Sequence, residues 1–103
     1  MPKKKVLKAK SSIQMEFSGR RYQVQKRVYL DGEPVRNSSE AFGNEAKPRD
    51  ARAIMTRLIG EEVQNNRQSE PRIEPLGENK AKVVCKSGLV ICFAVVAITL
   101  PSR

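Results

Sequence analysis

The sequence predicts an α+β fold: a single small domain over residues 12–103, in the order β-β-β-α-β-β, with a mostly antiparallel sheet packed on one amphipathic helix. Three patterns predict it. Apolar and polar residues alternate with period two in residues 13–18 and 21–30. Residues 48–66 carry apolar side chains at the 3–4 spacing of a helix. The chain ends in a second alternating run followed by an apolar, β-branched stretch, "LVICFAVVAIT".

The first eleven residues, "MPKKKVLKAKS", form a lysine-rich arm. With only Val6 and Leu7 as larger apolar residues, they cannot bury enough surface to offset ordering entropy, and a flexible arm is expected. The first strand follows at "SIQMEFSG", where Ile13, Met15 and Phe17 alternate with Gln14, Glu16 and Ser18. The second, "RYQVQKRVYL", places Tyr22, Val24, Val28 and Leu30 on one face, interrupted by Lys26. Gln23, Gln25, Arg27 and Tyr29 lie on the other. Asp31-Gly32 between strand-like runs favours a type I′ turn, which sets Val28 opposite Val35. Pro34 cannot donate to a ladder, so the third strand, near 33–36, is short and at an edge. Residues 37–47 read as a polar loop anchored by Phe42.

The helix begins at Pro48, which suits a first-turn position. Ala51, Ile54, Met55, Leu58, Ile59 and Val63 form one stripe, and Asn65 and Asn66 end it. "QSEPRIEPLGENK" is a linker with a short extended piece around Ile73. After it, Ala81, Val83 and Cys85 alternate with Lys80, Lys82, Val84 and Lys86.

The segment Leu89–Leu100 is twelve residues long. As a helix it would reach about 18 Å at 1.5 Å per residue, short of the roughly 30 Å hydrocarbon core of a bilayer. Its β-branched residues favour a strand instead, so no membrane span is expected. A three-residue loop, Lys86-Ser87-Gly88, aligns Cys85 with Leu89, Val83 with Ile91 and Ala81 with Phe93, giving one apolar face. Both faces of 89–98 are apolar, so this strand is expected at the centre of the sheet and covered twice. One helix covers one face. The other needs a further cover, either the loop with Phe42 or a second copy of the chain, and a homodimer through that face is expected.

Charge supplies the functional lead. The net charge is +9, and it is concentrated. Residues 1–36 hold Lys3, Lys4, Lys5, Lys8, Lys10, Arg20, Arg21, Lys26, Arg27 and Arg36 against only Glu16, Asp31 and Glu33. Such a field attracts polyanions. Lysine and arginine neutralise phosphates and release counterions. A two-stranded ribbon fits a DNA major groove, and a tyrosine among cations stacks on unpaired bases. The candidate nucleic-acid contacts are therefore the ten cations above with Gln23 and Tyr29. A solvated outer face that protects an edge strand explains the same charges without a ligand.

The exclusions are broad. No histidine is present, which removes His-based acid–base chemistry, Ser-His-Asp and Cys-His constellations and His-containing metal sites. Cys85 and Cys92 are too few for a structural zinc site within one chain, and both sit in apolar runs, as buried thiols do. Glu61 and Glu62 are adjacent and point apart on a helix, and no phosphate-cradling glycine loop is present. No enzyme and no cofactor are expected. "MPKKKVLK" resembles a single-cluster nuclear import signal, although Val6 stands where a basic residue is wanted. Nothing suggests secretion, so the expected compartment is the cytoplasm, or the nucleus for a eukaryotic or viral chain.

The expected function is non-enzymatic binding of nucleic acid, DNA or RNA, through the basic arm and the basic ribbon. The rival is a small protein-interaction module, a regulator or inhibitor of a larger machine, that binds through the sheet edge or the second sheet face.

Overall fold

A computed structural model describes residues 20–99 of the chain. They form β1 (Arg20–Leu30), β2 (Glu33–Pro34), β3 (Glu40–Glu45), α1 (Pro48–Asn65), a 3-10 turn (Arg67–Ser69), β4 (Arg72–Pro75), β5 (Lys80–Val84) and β6 (Leu89–Thr99). The expected strand at 13–18 and the basic arm lie outside the described residues. The α+β class is as predicted. One antiparallel sheet runs β2-β1-β6-β5-β4, with β3 also on β1, and a single helix covers one of its faces.

Turn chemistry explains the hairpins. Asp31 (φ 52°) and Gly32 (φ 86°) are both left-handed, as a type I′ turn requires. The Val35 N–H donates to the Val28 carbonyl at 2.8 Å, which is the predicted register. At the second hairpin the Cys85 N–H donates to Leu89 O at 2.9 Å and the Gly88 N–H to Cys85 O at 3.1 Å. Val83 pairs with Ile91 and Ala81 with Phe93, so the three-residue loop is the one adopted. Gly88 (φ 96°) takes the left-handed loop position.

α1 spans almost the predicted residues. Pro48 sits in its first turn, and Ala51, Met55, Leu58 and Ile59 are buried. Asn66 ends it: its backbone N–H and its side-chain Nδ2 both donate to Glu62 O, at 3.0 and 2.8 Å. The core beneath the helix is completed by Val24, Ala81, Val83, Cys85, Ile91 and Phe93, with Tyr22, Val28, Phe42 and Val95 packed around it.

Three expectations are corrected. Residues 40–45, read as loop, are a strand. β1 has an outer edge whose N–H and C=O groups need partners, and β3 pairs there through Val24↔Phe42, Gln25↔Ala41 and Lys26↔Glu40. An edge strand with one inward apolar residue, Phe42, shows no alternation for a sequence pattern to detect. A bulge separates Tyr22↔Glu45 from Val24↔Phe42. It falls at Gly43 (φ 82°), where a Cβ would meet Ile54 Cδ1 at 2.7 Å. Second, the extended piece near Ile73 is a full edge strand, β4. Third, residues 20–36 are not a free two-stranded ribbon. β2 has two residues, whereas β1 pairs along all eleven of its residues with β6. The hydrophobic return favours the long pairing, since it carries Val24, Val28, Ile91 and Phe93 under the helix together.

β6 is central, as expected, and is a strand throughout its described length. Among the described residues no helix is long and apolar enough to cross a membrane. Its Ile91 and Phe93 are buried against α1, whereas Val90, Cys92, Ala94 and Val96 face the other way and are only half-buried.

Candidate nucleic-acid interface

Directly paired residues of a sheet share a face, so the register defines the one left uncovered among the described residues. Down its centre runs the β6 stripe of Val90, Cys92, Ala94, Val96 and Ile98. On the β1 side these pair with Tyr29, Arg27, Gln25, Gln23 and Arg21 in turn. On the β5 side Val90 pairs with Val84, Cys92 with Lys82 and Ala94 with Lys80. Beyond them β4 adds Arg72 beside Val84 and Glu74 beside Lys82. An apolar stripe is thus bordered by Arg21 and Arg27 on one side and Lys80, Lys82 and Arg72 on the other. Glu74 is the only carboxylate that the register of these four strands brings to this face among the described residues.

The cations differ in how they are held. The Arg72 guanidinium donates to Glu74 Oε2 through Nε at 2.9 Å and also through Nη2, and Lys82 Nζ lies 3.7 Å from Glu74 Oε1. The Arg72 hydrogen bonds, aided by the charges of Arg72 and Lys82 and opposed by desolvation, hold the Glu74 carboxyl below its ordinary value. Arg21 is oriented by neutral groups, donating to Asn44 Oδ1 at 3.1 Å and Asn44 O at 2.7 Å, and no carboxylate pairs with it among the described residues. Arg27 and Lys80 are exposed, and neither forms an ion pair among the described residues.

At least two grooves indent this face among the described residues. One, of ≈ 260 Å³, is lined by Gln25, Arg27, Tyr29, Leu76, Lys80 and Ala94. Its wall is the β4–β5 turn, secured by Leu76 N–H to Lys80 O at 2.8 Å and Val95 N–H to Asn79 O at 2.7 Å. Arg52 Nη1 donates to Asn79 Oδ1 at 3.1 Å, so the turn is also tied to α1. The second groove, ≈ 210 Å³, is lined by Gln25, Arg27, Ser39, Glu40 and Ala41. Gln25 and Arg27 form the ridge between the two.

The candidate contacts from the sequence are therefore sorted. Arg21, Gln23, Arg27 and Tyr29 share the open face. Arg20 and Lys26 have the opposite parity. Lys26 points to the helix side, where its Nζ meets Glu62 Oε2 at 2.8 Å, and it serves the fold. Arg36 follows β2 on an exposed corner. Lys3, Lys4, Lys5, Lys8 and Lys10 lie outside the described residues. Sequence reasoning missed Lys80, Lys82 and Arg72. The polar row of the 80–86 run was visible, but its proximity to Arg27 exists only because β6 lies between β1 and β5.

The two thiols have opposite environments. Cys85 is buried, and burial together with the Glu62 charge pushes its pKa up. Cys92 is half-buried on the open face, between Arg27 and Lys82. In the folded protein N-ethylmaleimide is expected to label Cys92 at least about tenfold faster than Cys85, as read by peptide mass mapping, because Cys85 is buried and burial disfavours its thiolate, whereas Cys92 is reached from the open face. Equal rates would contradict the facing assigned to β6.

Searches against protein-family models, curated proteins and solved structures found no match to this chain. The class of the protein therefore rests on its own architecture: a small α+β domain with one sheet face covered by the helix and one, bordered by cations, left open among the described residues.

Proposed function

We propose that the protein binds nucleic acid without catalysing a reaction, and that the open sheet face is its contact surface. One observation carries the reading. Cations from β1, β4 and β5, fifty or more residues apart in the chain for β1 and β5, border one face that no described element covers, with Glu74 among them and Glu40 at the second groove. A face built this way favours phosphates and leaves apolar surface for bases or sugars between them. The basic arm, rich in lysine, adds to the same field.

A salt titration of binding to random-sequence DNA and RNA tests it. Affinity is expected to fall linearly on a log–log plot, with a slope that becomes shallower by roughly 0.7–0.9 for each phosphate contact removed. The triple variant Arg27→Ala/Lys80→Ala/Lys82→Ala is expected to weaken binding and flatten the slope. The control Arg49→Ala/Arg57→Ala/Arg67→Ala removes the same number of charges at exposed positions off this face and is expected to leave binding unchanged. Equal losses from both variants would mean net charge rather than this face.

A second reading has an observation of its own. Ile73 and Leu76 on the β4 edge are 48% and 52% exposed, the kind of apolar edge that a protein partner covers. Absence of binding to nucleic acid at low salt would favour this protein-interaction reading.

A further inference from the structure

We infer that the ligand class of the open face is single-stranded nucleic acid, with an unpaired base seated beside Tyr29 in the groove between β1 and the β4–β5 turn. The inference rests on the nucleic-acid reading and narrows it.

Geometry argues against a duplex groove. A two-stranded ribbon enters a major groove about 12 Å wide. Here β1 has neighbours on both edges, and the path β2-β1-β6-β5-β4 is five strands broad. At about 4.8 Å per strand it is roughly 19 Å across, too wide to insert. The β1–β2 hairpin end carries Asp31 and Glu33, which phosphates repel. That turn is also tied down, since the Asp31 N–H donates to Gly88 O at 3.0 Å.

Charge and polarity argue for a single strand. Unpaired bases expose flat apolar faces, and the β6 stripe of Val90, Cys92 and Ala94 offers an apolar floor for them. Tyr29 stands at the groove wall beside Val90, and Leu76 closes the other side. Arg27 and Lys80 flank the groove where the phosphates of a strand crossing the sheet would pass. Gln25, between the two grooves, presents an amide that reads base edges as donor and acceptor. A second copy of the chain fits this face worse, because cations flank β6 on both sides and a face-to-face dimer would bring the cation rows of one copy against those of the other.

The test uses fluorescein-labelled oligo-dT, oligo-U and a self-complementary DNA duplex of equal length, read by anisotropy against the full chain at low salt. Single strands are expected to bind at least about fivefold tighter than the duplex, the gain from one stacked base. Tyr29→Leu is expected to lose about that factor on single strands and nothing on the duplex, and Tyr29→Phe to retain it. Circular dichroism melts check that both variants fold. In the unmodified protein, saturating oligo-dT is expected to slow N-ethylmaleimide labelling of Cys92, a readout that needs no variant. Duplex binding as tight as single-strand binding, an unaffected Tyr29→Leu, or unprotected Cys92 would overturn this inference. The broader reading would then stand on the salt dependence alone. Failure of all three nucleic acids to bind would overturn both. A concentration-dependent dimer in sedimentation, with Cys92 protected in the absence of oligonucleotide, would assign the face to a second copy and overturn it too.

Discussion

Phe93→Ala is expected to lower the unfolding free energy by about 3–5 kcal/mol, read as a shift in the midpoint of a urea titration. Phe93 is 1% exposed at the middle of the central strand, between Lys26 on β1 and Ala81 on β5. Its ring fills the layer under α1, where Met55, Leu58 and Ile59 close over the sheet. Its neighbours are held by pairing on both sides of β6, so the backbone cannot collapse into the space left by the ring, and a cavity remains. A small domain has only about 5–15 kcal/mol in total, so this one truncation removes a large share of it. Val96→Ala, on the half-buried open face of the same strand, is the internal control and is expected to cost less than about 1.5 kcal/mol. Equal losses from the two substitutions would mean that the open face is covered in solution.

The second large effect is expected at Lys26. It lies in the helix-facing row of β1, where it pairs across the sheet with Phe93, and its Nζ contacts Glu62 Oε2 at 2.8 Å. Both side chains are only 18% exposed, and Glu40 adds a weaker contact at 3.9 Å. Lys26→Met leaves the Glu62 carboxylate half-buried, supported by Asn66 Nδ2 at 3.3 Å on its other oxygen. The expected cost is about 1–3 kcal/mol. Glu62→Leu is expected to act in the same direction but less, because Glu40 still faces the lysine. The double variant Lys26→Met/Glu62→Leu replaces the pair by apolar groups and is expected to be more stable than Lys26→Met alone. The double-mutant cycle would then show a coupling of about 1 kcal/mol or more. Strict additivity would reduce the pair to an incidental surface contact.

Lys26 also shows what a sequence pattern conceals. In the alternation of 21–30 it is a charged intruder on an apolar face, and grouping it with the basic face is the natural reading. Its role becomes visible only when Glu62, thirty-six residues later, is known to lie above it. β3 was missed for a related reason: "EAFGNE" has one inward residue and no period, and its strand character comes from the open edge of β1. By contrast Asp31-Gly32, Gly88 and the stripe of α1 were legible because backbone sterics and the 3.6-residue period act within a few residues of sequence.

The candidate site divides along the same line. Arg21, Gln23, Arg27 and Tyr29 share a face by strand parity alone, and their common side could be read from the chain. Lys80, Lys82 and Arg72 belong to the same surface only through the pairing of β1 with β6, β6 with β5, and β5 with β4. The short-range physics of turns, caps and periodicity is written locally, so the α+β class, the helix and both hairpin registers follow from the residues themselves. Which polar rows become neighbours, and which apolar face is left uncovered, depends on how strands far apart in sequence bury Phe93, Ile91 and Val24 together. That choice is made by the tertiary fold, since hydrophobic burial rewards the long pairing of β1 with β6 and carries the cations of both flanks to one face.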